Sequence, residues 1–445
     1  MGVESLKMVT KTLDEMRRGG IYDQVGGGFH RYSVDDHWEI PHFEKMLYDN
    51  ALLATTYLEA YQVTKNSDYG QTAQEILDYV SREMTDHEGG FYSAEDADSE
   101  GVEGKYYVWS EDELQKILKP DDYAELKKTF NVSAHGNYEE KNHFYIKSGV
   151  FLPKLNKTLL DVREKRIHPH LDDKILTSWN GLMISAFAKG FQVFDERRFL
   201  DAATRSADFI LKSMKDHNGN LSRRFRDGDA GKPGLAEDYS FFIEGLLNLY
   251  ESDFNTKWFI EALSLQKTQN TLFWDEKSGG YFDNDGTDKL IIARNKNFED
   301  NVVPSSNSVA ALNLLRFFAL TGDLEFKKKA IQILDAASLL ISKYPQATTK
   351  LLQSVDRLTD QSYEVAIVSE TKSDVIKEIH RGFFPNHTFA LKLEKEQTTP
   401  PLVSGRVAEK GETTFYLCEG QKCFLPTTDF KKTLTELKKA REFGG

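Results

Sequence analysis

Glycine-rich turns followed by an aromatic or apolar residue recur along the chain at a nearly fixed interval, and a chain built from one repeated unit has few folds open to it. The turns are Gly26-Gly27-Gly28-Phe29, Gly89-Gly90-Phe91, Asn218-Gly219-Asn220-Leu221 and Gly279-Gly280-Tyr281-Phe282, and Asp86, Asp216 and Asp275 open three of them. Phe29 to Phe91 is 62 residues, Phe91 to Leu221 is 130, or twice 65, and Leu221 to Phe282 is 61. A weaker loop at Asn142-His143-Phe144 fills the long gap, and Tyr344-Pro345 stands 62 residues beyond Phe282, which makes six units.

Each unit reads as two helices separated by a long loop. Phe43, Met46, Leu47, Ala54, Tyr57, Leu58 and Tyr61 follow a 3.6-residue period, as do Trp179, Leu182, Met183, Ala186, Phe187 and Phe194. The stretch 309–320 is apolar almost all round, as a helix buried on every side must be, whereas 323–342 carries Lys327-Lys328-Lys329 on an outward face. Ser110-Glu111-Asp112-Glu113 is a capping-box pattern opening a further helix. Strand signals before residue 355 are few and short, such as Tyr106-Tyr107-Val108-Trp109. Alternating buried and half-buried helices in six hairpins predict an all-α fold, a closed (α/α)6 toroid over 1–355, with an open solenoid as the competing arrangement. After residue 355, Val365–Val368, Thr388–Leu393 and Thr413–Leu417 read as strands, with helices near 372–380 and 429–441. Residues 356–445 are therefore expected to form a small α/β appendage packed on the barrel.

The 445 residues include 57 Lys+Arg against 70 Asp+Glu, a net charge of −13 with no basic tract, which argues against a nucleic-acid partner. No apolar run approaches the length of a membrane span, and charges crowd the first residues where a leader would be apolar, so a cytoplasmic, membrane-free protein is expected. The 2 cysteines, Cys418 and Cys423, cannot make a disulfide framework. Their C-x4-C spacing is neither a redox C-x-x-C nor a full ligand set, and unpaired neighbouring thiols are the expectation.

The loops leading into the inner helices carry what chemistry there is. The first runs from Tyr22 to Asn50 and holds His30, His37 and His42 with several carboxylates. Its glycines lack the Gly-Lys-Ser/Thr of a phosphate loop, and its histidines lack the close pairing of zinc sites, so neither cofactor nor metal is expected. Similar junctions are 93–99 with Asp98, 172–181 with Trp179 and Asn180, 235–239 with Glu237, Asp238 and Tyr239, and 299–307 with Asp300 and Asn307. Carboxylates beside Trp and Tyr surfaces suit sugar chemistry, because sugar faces stack on aromatic rings while hydroxyls bind Asp, Asn and Arg. Ser, Asp and Asn at helix starts are equally ordinary N-caps.

The segments 20–32, Pro41 to Ala51, Asp96 to Gly101, Asp173 to Leu182 and Pro304 to Ser308 resemble the thioredoxin-domain-containing, spermatogenesis-associated-protein-20-like (YyaL-like) family, from the first residues to the Cys-x4-Cys segment. The resemblance implies an (α/α)6 barrel akin to six-hairpin glycosidases and sugar 2-epimerases. It also implies an N-terminal thioredoxin-like domain, which this chain is expected to begin beyond and which could partner it. The 2-epimerases use histidines at inner-helix starts. Here no histidine lies between His217 and His380, so carboxylates are the expected acid and base.

Three functions compete. In the first, Glu237, Asp238, Asp300, Asp98 and His42 supply catalysis on a sugar-like ligand bound by Arg31, Trp179, Asn180, Tyr239 and Asn307, by hydrolysis or epimerisation. In the second the cavity binds a small molecule without turning it over. In the third the barrel is a scaffold for a thioredoxin-like domain.

Overall fold

The computed structural model describes residues 2–148, 153–288, 290, 292–371, 374–393 and 399–439. The chain divides into two compact units, residues 2–87 with 91–174, and residues 88–90 with 175–445. Both are mainly helical and built on antiparallel helical hairpins, as the repeat predicts, one long hairpin in the first and three in the second, which also carries the small α/β segment. Among the described residues no helix is long and apolar enough to cross a membrane.

In the first unit α1 (Val3–Arg18) precedes a hairpin of α2 (Leu47–Thr64) and α3 (Ser67–Glu83). Helix α2 buries Leu47, Ala51, Ala54, Tyr57 and Leu58, while α3 buries a stripe of Tyr69, Ala73, Ile76, Leu77 and Val80 and turns its charges outward. Lys65, at φ 60°, reverses the chain between them, and the Asn66 side chain caps α3 by accepting from Asp68 N–H. Where the repeat predicts a second long hairpin, the structure has three short helices, α4 (Glu111–Ile117), α5 (Pro120–Thr129) and α6 (Pro153–Arg163). Ser110 caps α4 by accepting Glu113 N–H at 3.2 Å. Leu114, Leu126, Leu155 and Leu159 from these helices share one core with Trp109, Phe130 and Phe144.

Tyr106–Trp109, expected as a strand, is instead a turn with a single bridge from Trp109 to Asn142. The carbonyls of Tyr106 and Val108 are taken by Arg166 Nη1 at 2.6 and 2.9 Å, which leaves no partner ladder for them. Deeper in this unit Asp23 accepts two bonds from Arg163 and one from Lys45 Nζ, each at 2.8 Å, with all three residues almost wholly buried. Glu95 lies in the field of Lys45, Tyr79 donates to Glu95, and burial pushes the Glu95 carboxyl up. A buried ionic group of this kind is tolerable only when every member is paired.

In the second unit, hairpins α7 (Thr177–Phe194) with α8 (Arg197–Ser213), α9 (Ala236–Asp253) with α10 (Thr256–Phe273), and α11 (Ser306–Thr321) with α12 (Leu324–Lys343) lead to α13 (Thr349–Thr359). Left-handed residues Asp195 (φ 59°), Phe254 (φ 56°) and Gly322 (φ 75°) make the reversals, as Lys65 does. Helices α7, α9 and α11 are buried nearly all round, and α9 packs on both α7 and α11. Close approach of α7 and α9 depends on Gly181: a Cβ there would stand 2.4 Å from the Phe241 carbonyl carbon. A hairpin that the sequence reading missed, β1 (Ser222–Arg226) and β2 (Asp229–Pro233), precedes α9, and β1 also pairs antiparallel with Ile175–Leu176.

The C-terminal segment matches expectation: β3 (Glu364–Ser369) pairs in parallel with β4 (Thr388–Leu393) and antiparallel with β5 (Thr414–Glu419), which turns into β6 (Lys422–Cys423). Helices α14 (Asp374–His380) and α15 (Phe430–Lys439) fall where the pattern puts them, with 372–373 and 440–441 outside the described residues. The expectation of unpaired thiols is corrected, because Cys418 and Cys423 are joined as a disulfide. They stand directly opposite each other on β5 and β6, a placement that spacing alone does not reveal.

Candidate functional site

The repeated turns have one construction. An Asp at the start folds over the turn: Asp23 Oδ1 accepts from Val25 and Gly26 N–H, Asp216 Oδ1 from Asn218 and Asn220, and Asp275 Oδ1 from Lys277 and Ser278. Single β-bridges then close each loop, Tyr22 to Phe29, Lys215 to Leu221 and Trp274 to Tyr281. The bridged aromatic or apolar residue keeps its own N–H free, and a side chain from the following inner helix takes it. Asn50 Oδ1 accepts from Phe29 N–H at 2.8 Å, Asn307 Oδ1 from Tyr281 N–H at 2.7 Å, and Tyr239 Oη from Leu221 N–H at 2.8 Å.

This construction accounts for several candidate residues. Asn307 is fully buried and also donates to the carbonyls of Tyr281 and Asn297, both at 2.9 Å. Asn180, equally buried, donates to Leu176 O and accepts from Ser206 Oγ. Asp238 has no exposed surface, and its oxygens accept from Ser178 N–H at 3.0 Å and Leu235 N–H at 2.8 Å. Burial and the neighbouring Glu237 push its carboxyl up to about 7, against the pull of Arg223 and the two amides. Asp300 ties the loop before α11 to the start of α13, accepting from Ser305 N–H at 2.9 Å and Lys350 N–H at 2.7 Å.

Among the described residues, the candidate side chains with solvent access fall into two groups, one in each unit. At the start of α9, Glu237 Oε1 accepts from Arg223 Nη1 at 2.9 Å, and Arg223 lies 3.8 Å from Asp238 Oδ2. Asp283 belongs here too, through the bond from Ala236 N–H to its carbonyl. Burial pushes its carboxyl up, helped by the charge of Glu237. Trp179, half-buried, follows the Ser178 amide that Asp238 holds. Arg223 and Asp283 escaped the sequence reading, although Arg223-Arg224-Phe225-Arg226 is a local concentration of cations in an acidic chain.

In the other unit His42 stacks on Tyr32, with ring centroids 5.0 Å apart. Its Nδ1 lies 2.7 Å from Glu103 Oε1 and its Nε2 3.6 Å from Glu44 Oε2. Arg31 holds the same Glu44 oxygen at 2.8 Å, so His42 and Arg31 are brought together through Glu44. Asp98 is exposed and pairs across a short ribbon with Glu103. Asp49 on α2 has a buried Oδ2 without a partner, and burial pushes its carboxyl up to about 7. Glu44 and Asp49 were legible as members of the 41–50 segment, whereas Glu103 had no signal. His30, His37 and His42 do not come together: His30 is buried and bonds Phe43 O, and His37 is exposed beside Asp36. A different set, Glu83, Glu95 and His168, brings one ligand atom each within 4.8 Å.

No family model matches the chain. Human spermatogenesis-associated protein 20 is 33% identical over 96% of this chain, and an uncharacterized Caenorhabditis elegans protein is 31% identical over 95%. The chain spans 62% of the human protein and 65% of the nematode one. Among solved structures, cellobiose 2-epimerase from Bacillus thermoamylovorans has a TM-score of 0.44 at 13% identity, over 76% of this chain and 87% of that one. The unsaturated glucuronyl hydrolase of Bacillus sp. GL1 has a TM-score of 0.41 at 13% identity, over 64% of this chain and 61% of that one. Over the span it shares with these relatives, the chain is a homologue of spermatogenesis-associated protein 20.

Proposed function

We propose that the protein acts on a sugar-like small molecule at the start of α9, within a hairpin domain of residues 1–355 to which 356–445 is a small α/β addition. The observation that carries this reading is the Glu237–Arg223 pair, a half-exposed carboxylate held by a cation beside a second carboxyl, Asp283, that burial favours in its protonated form. A carboxyl that burial favours in its protonated form, near a second carboxylate that a cation holds in place, offers the acid and the base that chemistry on a glycosidic or carbinol oxygen requires. Asp283 is the proton donor and Glu237, paired to Arg223, the base. Trp179 offers the stacking face. Asp238 and Asp300 belong to this reading as supports, since both oxygens of each already hold backbone amides.

The test is a mass-spectrometric and NMR screen of free sugars and oligosaccharides in deuterated buffer. Turnover is expected, with Glu237→Gln losing it about 100-fold or more while the thermal midpoint stays within a few degrees. Turnover unchanged in Glu237→Gln would overturn the assignment.

A second reading, a ligand-binding or scaffold protein that partners a thioredoxin-like domain, is favoured by one observation: Asp238, Tyr239, Asn180, Asp300 and Asn307 are all committed to holding backbone. Saturable sugar binding with no product formed would select it.

A further inference from the structure

The Cys418–Cys423 bond joins residues that β5 and β6 already place opposite each other, and Glu419↔Lys422 pairs in the same register beside them. Closing so short a loop constrains the unfolded chain far less than joining distant elements would, so stapling is a weak reason for the bond. The two sulfurs differ in access: Cys418 is 1% exposed, and Cys423 is exposed on the edge ribbon. Arg406 Nη2 stands 3.2 Å from both, its guanidinium partly withdrawn from water against the Tyr416 ring. A fixed cation beside a sulfur favours its thiolate, the form that attacks and leaves in disulfide exchange. Cys423 lies in a run of exposed residues with Phe424 and Leu425, so an incoming thiol can reach this end of the bond more readily than the buried Cys418.

We propose that Cys418–Cys423 is an exchangeable disulfide, a site at which dithiols are oxidised, separate from the α9 group. A thiolate of the dithiol bonds to Cys423 Sγ, the Cys418–Cys423 bond breaks, and Cys418 leaves as a thiolate held by Arg406. The second thiol of the reagent then displaces Cys423. Two electrons and two protons pass to the protein, and the dithiol becomes a disulfide. The bond spans the turn at Glu419 and Gly420, which walls a cavity of about 160 Å³ with Arg357 and Glu364. Gln421, at the tip, holds that turn to Glu364 and to the Phe318 carbonyl.

The experiment uses the full chain under native conditions with dithiothreitol as the probe, followed by alkylation and intact mass. Both thiols are expected to appear while the protein stays folded, with the thermal midpoint within a few degrees. Reduction that proceeds only as the chain unfolds would make the bond a staple and overturn the proposal. Among single-cysteine variants, Cys418→Ser, which keeps the exposed thiol, is expected to react with a chromogenic disulfide at least 10-fold faster than Cys423→Ser. Equal rates, or the reverse order, would overturn the direction of attack. In Arg406→Gln the pH midpoint for thiolate formation in the reduced protein should rise, and an unchanged midpoint would remove Arg406 from the mechanism. The wild-type reduction stands as a test even where a variant does not fold.

Discussion

Two carboxyls, Asp49 and Asp238, share a position raised to about 7, above all by burial, but they differ in their partners. Asp49 has a buried oxygen that nothing satisfies, whereas both oxygens of Asp238 are occupied by backbone amides. Each binds a proton more tightly in the folded chain than in the unfolded one, where a carboxyl titrates near 4. Their contribution to stability is therefore full below about pH 4 and is lost as pH rises towards about 7. Asp49→Asn should flatten this slope and stabilise the protein by about 1–2 kcal/mol at about pH 8, read by urea denaturation, because it removes an uncompensated buried charge. Asp238→Asn should lower stability by about 1–3 kcal/mol even near neutrality, because an amide side chain offers one acceptor where two amides need one each. Asn307→Ala strips Tyr281 N–H and two carbonyls of their partners, and a loss of about 3 kcal/mol or more is expected from the same denaturation curves. Why these roles were illegible in the sequence is now plain: Asn50 and Asn307 act on residues 21 and 26 positions away, and an asparagine in a first or second turn looks the same whether it faces a ligand or a neighbouring loop.

At the level of helices and strands, sequence periodicity succeeds where helices run long enough to show a face. The hairpins of α2 with α3 and α11 with α12 carry that signal clearly. It fails over 106–163, where the helices are short and where aromatic residues at Tyr106, Tyr107 and Trp109 imitate a strand until Arg166 claims the carbonyls. Inner helices also impose a steric condition that hydrophobic pattern does not express. Gly181 lies against the backbone of α9 and Gly245 against that of α7, where an added Cβ would be 2.4 and 2.8 Å from carbonyl atoms. Helix propensity alone would favour alanine at either by about 1 kcal/mol. Backbone atoms cannot yield as a side chain end can, so Gly181→Ala should instead destabilise by about 3 kcal/mol or more. Circular dichroism melts would decide it, and a variant as stable as wild type would mean that α7 and α9 stand further apart than described.

Taken as a whole, the chain repeats not only helices but one way of fastening a loop to the helix that follows it. The repeat was legible as spacing and the fastening was not, which is why several residues picked for chemistry turn out also to hold backbone. That arrangement carries a consequence for exchange with solvent. The amides of Phe29, Leu221 and Tyr281 lie in irregular loops but are bound by side chains rooted in α2, α9 and α11. A loop amide ordinarily exchanges its hydrogen by local fraying, whereas these three can be released only when the first turns of those helices move. In deuterium-exchange measurements they should therefore be protected like helix interiors, far longer than the neighbouring Gly27, Asn218 and Lys277 amides. Asn307→Ala should collapse the protection at Tyr281 alone, leaving Phe29 and Leu221 as slow as before.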